Sequence, residues 1–422
     1  MNVYGIIGGT LWGNRGAEAM VTATIGRVRD RDPEARFLLL SYQSKRDRHL
    51  LRAGHVAVLD AGPERAAFVH LPFAMLCWLA NRVGLRVPDV LLPQSTRALR
   101  RCRALFDVSG ISFHDGRLSV VAYNLVCLWP AILLGVPVIR LSQAMGPFEH
   151  PLNRFPARQM LQRSLHTFVR GHLTAEYVRK LGVPEQRWSI APDVAFAFES
   201  RDSLTQENEE RVARVQAQTD IVRDSGRGIV ALVPSSLVLK KMHDEGTDYV
   251  ALLHQLICDL QQRGRHVLVL PNATSAGVKT LRNNDIAVIT ALRTRLLADS
   301  DRIDAVQVSY VDFDLNTQAI RRLLERTELV ITSRFHAMVA ALDLGVPTLV
   351  MGWSHKYAEV LEMFNCADAA MDFTRAEVEL LPLVDRMLDE ATERRSRIST
   401  RLGGIRAAAA SQFDVLDRLN RE

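Results

Sequence analysis

The chain has 422 residues, more than one hydrophobic core usually supports, so we expect two domains. Hydrophobic residues make up 48% and charged residues 24%, which excludes a disordered chain. The net charge of +6 favours anionic partners only mildly, and no stripe of basic and aromatic residues supports a nucleic-acid-binding protein.

The five cysteines are scattered and form no C-x-x-C pair, which argues against a zinc site and a disulfide framework. We therefore expect buried thiols in a reducing cytoplasm and no metal requirement. The amino terminus enters a strand directly and lacks the pattern of a signal peptide. The longest apolar stretch, residues 118 to 139, is interrupted by Pro130, Gly135 and Pro137, which favours a buried core over a membrane span.

The first domain is predicted to cover residues 1–198. A buried strand over residues 3–7, a glycine-rich turn, a helix and a second strand make a Rossmann-like opening. The turn lacks the G-x-G-x-x-G spacing of a dinucleotide site and the Gly-Lys-Ser/Thr of a Walker A loop. Nicotinamide chemistry and ATP hydrolysis lose support accordingly.

Residues 199–227 are polar and rich in charge, and we expect them to be a solvated linker. A second α/β domain is predicted over residues 228–422, ending in a long, arginine-rich helical tail. The sequence thus predicts two facing Rossmann-like domains with a long C-terminal helix, and the cleft between them is the default place for a ligand.

The most informative segment follows the apolar run at 329–331. Thr332-Ser333-Arg334-Phe335-His336 precedes a helix, a Gly345-Val346-Pro347 loop and the apolar run 348–351, so the order is strand, turn, helix, strand. Ligands of parallel sheets bind beyond the carboxyl ends of the strands, and helix N-termini favour anions. Arg334 and His336, followed by His355 and Lys356 after the next strand, therefore indicate an anionic substrate and acid/base chemistry.

Several blocks together resemble the polysaccharide pyruvyl transferase family. They are Gly13-Asn14-Arg15-Gly16-Ala17-Glu18-Ala19, Ser142-Gln143-Ala144-Met145-Gly146-Pro147-Phe148, Val169-Arg170, Pro192-Asp193-Val194-Ala195-Phe196, Ser333-Arg334-Phe335-His336, Gly345-Val346-Pro347 and Trp353-Ser354-His355-Lys356-Tyr357. The family usually carries an Asp where this chain has Ala17, so the choice of acceptor can differ here.

The resemblance implies a fold similar to GT-B glycosyltransferases and a transferase of exopolysaccharide or cell-wall biosynthesis. The enzyme would move the pyruvyl group of phosphoenolpyruvate to a sugar of a polysaccharide, cell-wall glycan or glycolipid. The product would be a cyclic pyruvate ketal, with phosphate released. Phosphoenolpyruvate is then a co-substrate, and no other cofactor is expected.

His336 is the expected general acid/base, because an imidazole has an intrinsic pKa near neutrality. The side chains expected to bind the donor are Arg334, Phe335, Arg170, Lys356 and His355. Arg334 is the first choice, since a guanidinium pairs two oxygens and stays charged, and Arg170 could clamp the same anion from the first domain. The side chains expected around the acceptor or in the cleft are Asn14, Gly16, Glu18, Gln143 and Trp353.

Structural explanations compete with each of these roles. Arg334 could be a surface arginine in an ion pair, His336 could lock the turn, Lys356 could point into solvent and Trp353 could fill the core. Asp193 is expected to fix a turn.

At the level of function, the main alternative is a GT-B-type glycosyltransferase that uses a sugar nucleotide, and a second is a non-catalytic binding protein. The arginine-rich tail near Arg394 could contact anionic lipid on the inner membrane face, although a solvated helix face explains it as well.

Overall fold

The computed structural model describes residues 1–51, 53–116, 118–200, 204–275, 283–299, 307–352 and 355–419. The chain forms two compact units, Met1–Trp12 with Ala17–Glu199 and Ala407–Glu422, and Gly13–Gly16 with Ser200–Arg406. The loop at 13–16 therefore groups with the second unit, and the last helical residues group with the first. These groupings differ from the continuous domains 1–198 and 228–422 that the sequence suggests.

A parallel sheet of seven strands forms the centre of the first unit. Its strands are β1 (Val3–Ile7), β2 (Arg36–Ser41), β3 (Val56–Asp60), β4 (Ala104–Asp107), β5 (Val138–Gln143), β6 (His166–Val169) and β7 (Trp188–Ile190). Their order across the sheet is β3-β2-β1-β4-β5-β6-β7. Strands β4, β5 and β6 are buried along their whole length, as expected for a parallel sheet covered on both faces.

Helices alternate with these strands. They are α1 (Arg15–Arg31), α2 (Ser44–Leu50), α3 (Pro63–Arg65), α4 (Leu71–Arg82), α5 (Gln94–Arg100), α6 (Leu118–Leu133), α7 (Pro151–Arg163) and α8 (Gly171–Lys180). A π-helical turn, Ala66–His70, joins α3 to α4. The alternation of strand and helix is what makes every strand pair parallel.

The second unit has a parallel sheet of six strands. They are β8 (Ile229–Val233), β9 (His266–Val269), β10 (Val308–Tyr310), β11 (Leu329–Thr332), β12 (Thr348–Gly352) and β13 (Ala370–Asp372), in the order β10-β9-β8-β11-β12-β13. Both sheets are doubly wound: successive strands are added from the first strand toward one edge, and the later strands are added from its other side toward the opposite edge. In the second unit the switch point between these two directions lies between β8 and β11, where such folds bind ligands.

The helices that complete the chain are α9 (Gln206–Asp224), α10 (Ser236–Asp244), α11 (Tyr249–Gln262), α12 (Asp285–Ala298), α13 (Thr317–Leu324), α14 (Phe335–Asp343), α15 (His355–Met363), α16 (Ala376–Asp389), α17 (Ala391–Ala410) and α18 (Val415–Leu419). Side chains cap several of them: Thr205, Asp248 and Asn316 each accept a hydrogen bond from a backbone N–H in the first turn of the helix that follows.

The segment that the sequence suggests as a linker, residues 199–227, contains α9. Val212 and Val215 are buried in the same hydrophobic cluster as Ile229 and Leu268 of the second sheet. The polar residues of α9 form only its outer face. Two valines three residues apart are enough to bury its inner face. The helix belongs to the second unit.

Two arginines of the arginine-rich tail are not freely solvated. The side chain of Arg394 is 1% exposed and donates hydrogen bonds to Asp368 and Glu390. Arg395 donates to the backbone oxygen of Thr327. Among the described residues no helix combines the length and apolar character needed to cross a bilayer.

Candidate active site

The turn after β11 carries the Ser-Arg-Phe-His segment at the switch point of the second sheet. Thr332 ends the strand, and its Oγ1 accepts a hydrogen bond of 2.9 Å from the backbone N–H of Arg334. Arg334 then takes the N-cap position of α14 with extended backbone angles (φ −114°, ψ 123°). Phe335 and His336 are thus the first two helical residues, and the helix N-terminus faces the carboxyl edge of the sheet.

Arg334 is held in a largely buried ion pair with Asp285. Its Nε donates to Asp285 Oδ2 at 3.0 Å and its Nη2 donates to Asp285 Oδ1 and, at 3.1 Å, to Ser236 Oγ. The side chain of Arg334 is 11% exposed and that of Asp285 is fully buried. Arg334 is therefore in an ion pair, but it does not lie at the surface. The pair offsets the arginine's charge and fixes the direction of its guanidinium.

Asp285, the first residue of α12, was not singled out from the sequence. It also accepts hydrogen bonds from the backbone N–H groups of Ser236 (3.0 Å), Asn272 (3.2 Å) and Ala273 (2.8 Å). These residues follow β8 and β9, so one carboxylate ties together the ends of two strands and the arginine after a third. A carboxylate at a helix start was readable from the sequence, but its partners lie 12 to 49 residues away.

His336 packs against the loop formed by residues 13–16. A Cβ added to Gly16 would lie 2.1 Å from His336 Nδ1 and 2.2 Å from its Cγ, so a glycine is required there. The imidazole also meets the Phe335 ring edge to face, with ring centroids 5.1 Å apart. The structure therefore brings the first glycine block and the Ser-Arg-Phe-His segment together.

The loop is held in this place by backbone hydrogen bonds. Arg15 N donates to Asn272 O at 3.2 Å, and Thr274 N donates to Gly13 O at 2.9 Å. Asn14 and Ala273 form an isolated antiparallel bridge, and Asn14 Oδ1 accepts from Gly16 N at 3.1 Å. Residues that the sequence places near the acceptor, Asn14 and Gly16, are thereby fixed beside His336. Glu18 lies further along α1, in the part grouped with the first unit.

Lys356, the second residue of α15, does not extend into solvent. Its ammonium lies 5.1 Å from the centroid of the Phe335 ring and 5.1 Å from that of Tyr357, within the range of cation–π attraction. Phe335 is itself 7% exposed, so it positions Lys356 and His336 rather than presenting a surface to a ligand. Trp353 and the side chain of His355 lie outside the described residues, and their expected roles stay predictions.

Buried hydroxyl groups support the turn from below. Tyr249 Oη lies 3.0 Å from Ser333 Oγ, and it accepts a hydrogen bond from Ser235 N. Burial raises the pKa of Tyr249 to about 12, although the Ser333 hydrogen bond works in the opposite direction. Burial likewise raises the pKa of Tyr357, against the effect of the nearby Arg334 charge. Both phenols stay protonated at neutral pH, and Ser333 is a structural residue of the segment.

Arg170 and Gln143, which the sequence suggests as ligand contacts, are used inside the first unit. Arg170 is 2% exposed, pairs with Asp193 at 2.7 Å and donates to the backbone oxygens of Ser142 and Gly110. Asp193 also accepts from Ala195 N at 2.8 Å, which fixes the turn as expected. These contacts explain Arg170 as part of the core, because its guanidinium is already surrounded by acceptors.

Gln143 is fully buried in a second network of the first unit. Its Oε1 accepts from Ser112 Oγ and from Arg140 Nη2, both at 2.7 Å, and its Nε2 donates to Asp107 O at 3.1 Å. An amide with these partners supports the carboxyl end of the first sheet and does not line a pocket. Among the described residues no group of three His, Cys, Asp or Glu side chains could hold a metal ion.

Comparison with solved structures places the fold among GT-B-type enzymes. The UDP-GlcNAc 2-epimerase of Neisseria meningitidis matches with a TM-score of 0.56 at 10% identity, over 99% of this chain and all of that one. Anabaena Alr3699/HepE, solved with UDP-glucose, matches with a TM-score of 0.52 at 13% identity, over 100% and 97% of the two chains. The fold class predicted from the sequence is confirmed.

Residues 14–355 match the polysaccharide pyruvyl transferase family, and the chain belongs to that family. It is also similar to the amylovoran biosynthesis protein AmsJ of Erwinia amylovora, with 22% identity over 311 residues, 74% of this chain and 71% of that protein. The resemblance carried by the motifs is confirmed. The chain is a transferase of polysaccharide biosynthesis.

Proposed function

We propose that this protein transfers the pyruvyl group of phosphoenolpyruvate to two hydroxyls of one sugar, forming a cyclic ketal and releasing phosphate. The acceptor is a sugar of a polysaccharide, cell-wall glycan or glycolipid, and the reaction takes place in the cytoplasm. Membership of the family over residues 14–355 supports the reaction class. The assignment of the site rests on the contact between His336 and Gly16. His336 lies two residues after Arg334, which belongs to the turn at the end of β11.

The proton balance of the reaction explains why the site needs an imidazole. The first sugar hydroxyl adds to carbon 2 of the donor and loses its proton, while the methylene carbon gains a proton and becomes a methyl group. The second hydroxyl then displaces phosphate from the same carbon and loses its proton in turn. His336 is the group that accepts and returns these protons, as general base and general acid.

Binding of the donor requires groups that hold a carboxylate and a phosphate. Arg334 mainly orients the donor through the fixed direction of its N–H groups. It adds little net positive charge, because Asp285 offsets its charge while fixing the plane of the guanidinium. Lys356 contributes a second cation, held above Phe335. The first turn of α14, where Arg334 is the N-cap and makes no side-chain capping bond, adds backbone N–H groups that favour an anion. Asn14 and Gly16 remain our candidates for contact with the acceptor.

The reaction class is tested with the purified chain, phosphoenolpyruvate and a panel of lipid-linked and free saccharides. Acceptor-dependent phosphate release, with a mass gain on the acceptor equal to one pyruvate ketal, is the expected result, and a chelator should leave the rate unchanged. A GT-B-type glycosyltransferase would instead release nucleotide from a sugar nucleotide. Stabilisation of the chain by sugar nucleotides and not by phosphoenolpyruvate in a thermal shift assay would overturn the proposal.

Replacing His336 by Ala should reduce turnover about 10²–10⁴-fold, the usual contribution of a positioned acid/base group. The loss should fall on turnover rather than on donor binding, since the cations are untouched. His243, an exposed histidine of α10 in the same unit, provides the matched control, and His243→Ala should keep the parent rate. Retained turnover in the folded His336→Ala protein excludes the assigned role.

A further inference from the structure

The first unit exposes an unusual concentration of large hydrophobic side chains. Nine of the eighteen exposed large hydrophobic residues among the described positions fall between residues 68 and 91. They are Phe68, Met75, Leu76, Trp78, Leu79, Val83, Leu85, Val90 and Leu91. Single exposed apolar residues are ordinary, but a cluster of this kind marks an interaction surface.

The exposed residues of this surface have helical spacing. Met75, Leu76 and Leu79 of α4, with Val83 at its C-cap, are one, three or four residues apart, and at 3.6 residues per turn they cover an arc of about 100°. Phe68 lies in the π-helical turn before the helix. The opposite side of the same helix, with Ala74 and Cys77, is buried in the unit. Helix α4 therefore has two apolar sides, of which the protein covers one.

The charge around this surface is positive. Residues 63–103 contain seven arginines and two carboxylates, Glu64 and Asp89, a net charge of +5 with His70 neutral. Arg82 stacks on Trp78 with its guanidinium carbon 4.8 Å from the ring centroid. An apolar stripe with an aromatic residue and arginines beside it is the composition of helices that lie in the interface of an anionic membrane.

We propose that this surface, residues 68–91 together with the arginines beside it, docks the protein on a bilayer that contains anionic phospholipid. The apolar side chains would enter the acyl boundary, while the arginines would contact the headgroups. A second copy of the chain fits less well, because a two-fold interface would place the exposed Arg82 and Arg86 of one copy against those of the other.

The test compares co-sedimentation of the full chain with vesicles of phosphatidylcholine, with and without phosphatidylglycerol. The parent protein should bind the anionic vesicles, and added salt should weaken binding. The triple variant Phe68→Ser, Leu76→Ser, Leu79→Ser should bind about tenfold or more weakly. The control Ile221→Ser, Leu297→Ser, Val378→Ser removes three exposed apolar residues from the second unit and should bind like the parent.

Three further measurements separate a membrane from a protein partner. Quenching of tryptophan fluorescence by brominated phosphatidylglycerol should disappear in Trp78→Phe, and Arg82→Gln with Arg86→Gln should weaken binding and its salt dependence. Light scattering after size exclusion reports any dimer. Absence of binding to anionic vesicles, binding retained by the folded triple variant, or a dimer that the triple variant dissociates without any lipid binding would overturn the proposal.

Discussion

Gly16 and His336 occupy one space, and the chain can keep both only because residue 16 has no side chain. The contact reaches Cγ and Cβ of His336, at 2.2 and 2.7 Å from the position of an added Cβ. Rotation about the Cβ–Cγ bond of His336 therefore does not relieve the overlap. The glycine fixes the histidine's position from one side, while Phe335 fixes it from another.

The substitution Gly16→Ala should destabilise the protein by about 1–3 kcal/mol and reduce turnover, because the loop or the imidazole must shift. In the His336→Ala background the same change should cost less stability, since most of the overlap is gone. The control is Gly403→Ala, within α17, where an added Cβ meets nothing within 4 Å and helix propensity improves. Urea unfolding and initial rates measure both effects. An equal loss of stability in the two backgrounds would contradict this account.

Asp285 shows why an arginine at a strand end is not simply a free cation. Its carboxylate receives three backbone N–H groups and the Arg334 guanidinium while fully buried. Such a group is stable only when all of its partners are present, so it fixes the turn at the switch point as one unit. The orientation of the Arg334 guanidinium is thus set by Asp285, which lies outside the Ser-Arg-Phe-His segment.

At the scale of elements, the βαβ unit around the Ser-Arg-Phe-His segment was predictable because its pattern is local. An apolar run, a turn, a helix and a Gly-Val-Pro loop lie within 24 residues, and β11, α14 and β12 follow them closely. The loop at 13–16 and Asp285 could not be placed, because their partners are far away in sequence. The role of α9 was missed for a different reason, since its composition is polar and its buried face is narrow.

Helix α9 should contribute to the stability of the second unit through that narrow face. Val212→Ala removes buried methyl groups from the core cluster and should cost about 1–3 kcal/mol. Ile221→Ala on the same helix changes a side chain that is 75% exposed and should have almost no effect. Urea unfolding of both variants measures the difference. If α9 were a solvated linker, the two substitutions would have the same small effect.

Over the whole molecule, the two sheets share a detail that the sequence did not reveal. The first residue of β6, His166, lies 2.9 Å from Ser189 Oγ in the edge strand β7. The first residue of β9, His266, lies 3.0 Å from Ser309 Oγ in the edge strand β10. Burial lowers the pKa of each histidine to about 4, helped by Arg418 and Arg187 near His166 and by Arg227 near His266. Each sheet thus carries a buried histidine with a lowered pKa in the strand next to an edge strand.

Both units should lose stability in the same acid range. The unfolded chain binds a proton at each histidine below the ordinary pKa of 6.5, whereas the folded chain does so only near 4, so stability falls as the pH drops from 6.5 to 4. The loss should reach about 2–3 kcal/mol per histidine. His166→Gln and His266→Gln should each flatten the dependence of unfolding free energy on pH, and the exposed His172→Gln should not. A dependence that is equally steep in all three variants would mean that other groups control the acid response, and that the paired histidines are protonated in the folded chain.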